Sequence, residues 1–131
     1  AVLAVGPAAW AQDETFGFTI DAARLAADRH TVVVSGSYTC GPFDLNVVGG
    51  GGTVDLTVRQ GRVTGFGYVP IEVCDGTARD WQEEVTTFGG PTFMRGAARA
   101  TASGYVEGVR GGQGVLQTTR VDNQRITITR R

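Results

Sequence analysis

The chain has 131 residues with 12 basic and 13 acidic side chains, for a formal net charge of −1. Every basic residue is an arginine, and arginines alternate with acids instead of forming blocks. The linear sequence therefore shows neither a nucleic-acid footprint nor a membrane-binding basic stripe.

Ala1 to Ala11 is small or apolar throughout and ends in Ala9-Trp10-Ala11, the small-x-small pattern of a signal-peptidase site. It reads as the remnant of a secretion signal peptide, with Gln12 as the mature start. A bilayer span needs roughly 20 apolar residues, so this segment predicts export and no stable membrane insertion. Residues 12–131 then form a single domain, enough chain for one hydrophobic core.

Phe16 to Ile20 reads as the first strand. Only Ala22 to Ala27 reads as helical, with Asp21 able to cap it, and the expectation is one turn of helix or a plain loop before the second strand. From Thr31, Val32, Val34, Gly36, Tyr38 and Cys40 fall on one face, which predicts a half-buried strand with Cys40 inward. Val54, Leu56 and Val58 repeat the alternation. Gln60-Gly61 turns this strand into Arg62 to Val69, where Phe66 and Tyr68 share a face, so the pair reads as a hairpin. Asp75-Gly76 is a turn signal, and Thr77 to Phe88 carries Trp81 and Val85 on a common side. Gly96 to Val106 alternates Ala98, Ala100, Ala102 and Gly104, which suggests close backbone packing. Gly114 to Val121 and Gln124 to Thr129 form the last strand material, with Ile126 and Ile128 inward. Thr118, Thr119, Arg120, Thr127, Thr129 and Arg130 read as solvated β surface.

About seven short strands without helical crossovers predict an all-β antiparallel two-sheet sandwich, immunoglobulin-like, with a small β-barrel as the alternative. Trp81 follows the second cysteine instead of lying between the two, which departs from the usual immunoglobulin core arrangement.

Cys40 and Cys74 lack C-x-x-C spacing, and two cysteines with one histidine fall short of the four protein ligands of a closed zinc site. A structural disulfide is the expectation, and with the signal remnant it places the protein in an oxidising compartment, secreted or at the cell surface. No cofactor or metal is expected. His30 stands beside Asp28 without a G-x-S-x-G or similar nucleophile motif, so it reads as a loop residue and no catalytic residue is assigned. Glu83 and Glu84 are adjacent on a strand and point to opposite faces, which prevents them from flanking one glycosidic bond. Glu83 shares the Trp81 face, which puts it either near the sandwich rim or in a pair with an arginine such as Arg99. Gly49 to Gly52 lacks the lysine and helix of a phosphate cradle. Asp44, Asp75 and Asp80 lack the spacing of a calcium loop.

The pieces Val33-x-Ser35-Gly36-x-Tyr38-x-Cys40, Val58-x-Gln60, Gly65-x-Gly67, Cys74-Asp75-Gly76, Trp81 and Phe93-x-x-Gly96-x-Ala98-x-Ala100 resemble a family of small secreted actinobacterial β-sandwich domains of unknown function. The resemblance implies bridged cysteines and a core tryptophan, and it carries no activity. The segments Gly41 to Gly52 and Gly111 to Gly114 depart from that family's pattern.

The functional expectation is a non-catalytic secreted module for binding or surface interaction, presenting the loops Gly41 to Gly52, Val73 to Asp80 and Phe88 to Arg95. Its partner would be an extracellular protein, a cell-wall glycan or a small molecule. The alternatives are a small-ligand carrier with a cleft lined by Phe66, Tyr68, Trp81 and Phe93, and a hydrolase with an unrecognised site built on His30.

Overall fold

A computed structural model describes residues 13–43 and 51–130. The segment read as a signal peptide lies outside the described residues, as does 44–50 of the long glycine-rich loop. Eight strands follow in order: β1 (Asp13–Thr15), β2 (Gly17–Leu25), β3 (Thr31–Thr39), β4 (Gly51–Gln60), β5 (Val63–Ile71), β6 (Arg79–Thr86), β7 (Gly96–Arg110) and β8 (Gln113–Thr129).

The architecture is all-β, but it is a closed barrel and not the expected two-sheet sandwich. Seven strands run round in the order β8-β2-β3-β6-β5-β4-β7 and return to β8, while β1 pairs alongside β8. Closure comes from β2 and β8, which pair in parallel through Ala23 with Ile128 and Arg24 with Thr129. The small-barrel alternative describes this arrangement, and closure leaves no exposed sheet edges round the ring.

One seam in the wall is weakly zipped, and another is zipped in two separate stretches. Along one edge of β8, β2 contributes those two residue pairs, with Gln124 Nε2 donating to the Ile20 carbonyl at 2.9 Å and Thr129 Oγ1 to the Ala23 carbonyl at 3.2 Å. On the same edge β1 adds three parallel pairs, Asp13–Thr15 with Leu116–Thr118, followed by the Phe16 N–H donating to the Thr118 carbonyl at 3.0 Å. Between β5 and β6 a single pair, Phe66 with Thr86, is in register. The other neighbours pair along most of their length, and β7 with β8 forms a long hairpin over Gly96–Arg110 and Gln113–Thr129.

Ala22 to Leu25, in the segment expected to be one turn of helix or a plain loop, belong instead to β2. A bulge at Asp21 shifts the β2–β3 register, and the strand runs on to Leu25 with Ala23 buried. Pairing with β3 overrides the helical preference of Ala, Arg and Leu, as tertiary context commonly does. The segments 114–121 and 124–129 are likewise one strand. A bulge places Asp122 and Asn123 opposite Thr101, with Asn123 at φ 49° and its N–H donating to Thr101 Oγ1 at 3.2 Å.

Period-two alternation fills the interior. Val32, Val34, Tyr38, Val54, Leu56, Val58, Val85, Val106 and Ile128 point inward and are buried, each large aliphatic stabilising the fold by about 1.5–3 kcal/mol. Phe18 and Trp81 stack with centroids 5.1 Å apart and an interplanar angle of 17°. Ala98, Ala100 and Ala102 are buried as expected. Thr119, assigned to the outer surface by its composition, is buried instead together with Gln117, so β8 turns a short polar stretch inward near the disulfide end.

Candidate functional site

The alternation of strand directions sorts the loops onto two ends of the barrel. At one end lie β1, the Cys40–Cys74 disulfide, the Cys74 to Thr77 turn and the β7–β8 hairpin turn. At the other lie the β2–β3 turn, the β4–β5 turn, the long connection from Thr87 to Arg95 and the final residues of β8. The three loops expected to be presented for binding are therefore divided between the two ends. Described parts of Gly41 to Gly52 and Val73 to Asp80 are at the disulfide end, and Phe88 to Arg95 is at the far end.

Cys40 and Cys74 are bonded, with Cα atoms 4.8 Å apart. Backbone bonds fasten the two chains beside the bridge, the Phe43 N–H donating to the Cys74 carbonyl at 3.0 Å and the Gly76 N–H to the Cys40 carbonyl at 2.8 Å. Asp75 closes the adjoining turn by accepting from the Thr77 N–H and hydroxyl and from Arg79. Those bonds, led by the Thr77 hydroxyl and then Arg79, hold its carboxyl far below the ordinary carboxylate range. Glu14 accepts from Arg110 at 3.1 and 3.3 Å and from Gln117 at 2.7 Å, which lowers its pKa as well.

The aromatic residues proposed to line a cleft stand on two sides of the barrel wall. Phe66 and Tyr68 are outside on β5, 55% and 60% exposed. Trp81 and Phe93 are inside and buried, Phe93 filling the far end against Gly65 and Val85. Glu83 turns toward the interior of β6. Its expected partner Arg99 is on the outer face of β7, with β5 and β4 between their strands, so that pairing does not form. The His30 ring Nδ1 is buried without a hydrogen-bond partner, while Asp28 Oδ1 accepts from the backbone N–H groups of His30 and Thr31 at 3.0 and 3.2 Å. Among the described residues no three of His, Cys, Asp and Glu come together as a metal set.

What the barrel does assemble is an arginine-rich end. Arg59 on β4 is directly opposite Arg99 on β7, and Arg99 is directly opposite Arg125 on β8. All three are exposed, and neighbouring strands are spaced by about 4.8 Å, so three guanidinium stems rise side by side from one wall. Like charges placed directly opposite destabilise a sheet. Arg99 Nη1 donates to the Asn123 carbonyl at 3.2 Å, and no carboxylate among the described residues is within ion-pair distance of this row.

Arg24, Arg29, Arg62, Arg95 and Arg130 surround the same end, all exposed. Arg29 holds a left-handed backbone, φ 61°, in the β2–β3 turn. Arg29, Arg95 and Arg130 line an open cleft of about 490 Å³ with Leu25 and Met94. Of the acids in or bordering this half, Asp28 caps its own turn, Glu83 turns inward, Glu84 sits on the outer face of β6, and Asp21 lines a cleft with Arg125 without an ion pair among the described residues. The ion-paired arginines lie elsewhere: Arg79 and Arg110 at the disulfide end and Arg120 midway along β8 with Asp122.

The Thr87 to Arg95 connection crosses this end and is pinned at both sides. The Thr87 N–H donates to the His30 carbonyl at 2.8 Å and the Phe93 N–H to the Arg29 carbonyl at 2.9 Å. Gln60 grips Met94 twice at 2.8 Å, Oε1 accepting from its N–H and Nε2 donating to its carbonyl. Between the pins Gly89 and Gly90 take φ of 68° and 70°, a conformation that suits glycine, and throw a short tip outward. Phe88 on that tip is 84% exposed and Met94 is 66% exposed.

Sequence reading missed this end because arginines 59, 99 and 125 are far apart in the chain. No turn joins β4 to β7, so nothing local pairs 59 with 99, and in the β7–β8 hairpin the bulge at 122–123 hides the match of 99 to 125. Comparison with protein-family models, curated proteins and solved structures gives no match in any of the three.

Proposed function

We propose that the protein is a non-catalytic binding module of the cell exterior whose working surface is the arginine-rich end and whose partner is anionic. The observation that carries this reading is the segregation of arginine. The three arginines nearest the acids are ion-paired, whereas the Arg59–Arg99–Arg125 row and its five neighbours have no ion-pair partner among the described residues. A row of opposed guanidinium groups costs stability, and bidentate contact with carboxylate, sulfate or phosphate offsets that cost. The disulfide supports an oxidising compartment, in keeping with the export signal read in the sequence.

Retention on dextran sulfate at low ionic strength tests the proposal. Replacing Arg59, Arg99 and Arg125 together by threonine should lower the salt needed for elution markedly. Replacing Arg79, Arg110 and Arg120 should change it little. Equal effects of the two sets, or no retention of the native chain, would overturn the reading.

A second reading rests on Phe66 and Tyr68, exposed two residues apart on β5. Two such rings on one outer face form a platform on which sugar rings stack, which fits a cell-wall glycan. Loss of pull-down by insoluble peptidoglycan in a Phe66→Ser, Tyr68→Ser double variant is the expected outcome. Undiminished pull-down would remove this second reading.

A further inference from the structure

We infer that the arginine-rich end docks on an anionic lipid bilayer, with Phe88 and Met94 entering the interfacial region and the surrounding arginines meeting lipid phosphates. This rests on the proposal of an anionic partner and specifies which one. Two independent features meet at the same place. One is charge: Arg29, Arg95 and Arg130 share a cleft with Met94, and Arg62 projects from the neighbouring β4–β5 turn. The other is apolar exposure: Phe88 and Met94, 84% and 66% exposed, are the most exposed large apolar side chains described.

A soluble polyanion accounts for the arginines and leaves Phe88 unused. An anionic bilayer uses both, because its surface holds phosphates in a layer just above hydrocarbon. The loop is built to be pushed against such a surface. Its two sides are bonded to the β2–β3 turn and to Gln60, and Phe93 plugs the barrel beneath it. A tip mounted in this way loses little conformational freedom on docking. The arrangement is that of a reversible interfacial contact by a barrel rim, and it needs no spanning segment.

The experiment is co-sedimentation of the full chain with vesicles of phosphatidylglycerol and phosphatidylcholine, with pure phosphatidylcholine vesicles and a dextran sulfate column in parallel. Binding is expected to the anionic vesicles and not to the zwitterionic ones. Phe88→Ser should lower the vesicle partition coefficient by about tenfold while leaving dextran sulfate retention and the melting temperature unchanged. Each of Arg29→Gln, Arg95→Gln and Arg130→Gln should lower it by about fivefold. Dextran sulfate retention without vesicle binding, or vesicle binding indifferent to Phe88→Ser, would overturn the membrane inference and leave the anionic-partner proposal standing. Equal binding to both vesicle types would also overturn it. Absence of binding to vesicles and to dextran sulfate would overturn both.

Discussion

The indole Nε1 of Trp81 donates a hydrogen bond to the backbone carbonyl of Thr19 at 3.2 Å, although β3 stands between their strands. Gly36 makes the reach possible. A Cβ at that position would lie 1.9 Å from the Thr19 oxygen and 3.0 Å from Trp81 Cζ2. Gly36→Ala is therefore expected to destabilise by about 1–3 kcal/mol through overpacking. Trp81→Phe should cost about 1–2 kcal/mol, from the lost hydrogen bond and the smaller ring. Urea denaturation of both variants checks this, and an unchanged midpoint for Gly36→Ala would show that Trp81 does not cross β3 as described.

The disulfide closes a sequence separation of 34 residues. In the chain-entropy picture its removal by the double change Cys40→Ser, Cys74→Ser should cost about 3–4 kcal/mol. Guanidinium denaturation with and without reductant gives the same comparison on the native chain. A reductant-insensitive midpoint would mean that the bridge does not constrain the unfolded state.

Arg59 faces Arg99 across the β4–β7 ladder. Arg59→Thr removes one opposed charge and introduces a good strand former, so it should raise stability by about 0.2–1 kcal/mol. The gain should shrink as salt is added, since screening weakens the repulsion it relieves. A stability loss at low salt would indicate that the row is held together by a partner group within the protein.

Asp75 supplies a pH dependence of definite sign. Its folded-state pKa lies below the ordinary value of 3.8, chiefly through the Thr77 hydroxyl and then Arg79. The carboxylate stays charged in the folded chain while the unfolded chain takes up a proton. The stabilisation is thus present above pH 3.8 and is lost as pH falls below it. Asp75→Asn should flatten the acid limb of a melting-temperature profile, and a profile unchanged in shape would show that the turn is not coupled to protonation.

Much of the fold was legible in strand alternation. Val32 to Cys40, Val54 to Val58 and Ala98 to Ala102 point as their period-two pattern requires, because burial of one strand face is a local property of the sequence. The choice between sandwich and barrel was not local. It depends on Ala23 and Arg24 meeting Ile128 and Thr129, residues more than a hundred positions apart. Ala22 to Ala27 misled for a related reason, since its composition favours helix while its neighbours in space favour strand. The arginine-rich end was hidden because charge looks evenly mixed along the chain, and the antiparallel strands gather it by position within each strand.

The β5–β6 seam is the weakly zipped line of the barrel, for the β2–β8 seam is reinforced by β1 on the same edge of β8. Opening is expected to follow that line first, with few backbone bonds to break, while amides in the β7–β8 hairpin stay protected longest against solvent deuterium. The disulfide, joining the end of β3 to the chain just after β5, is a clasp across that line at one end of the barrel, and the single pair of Phe66 with Thr86 is toward the other.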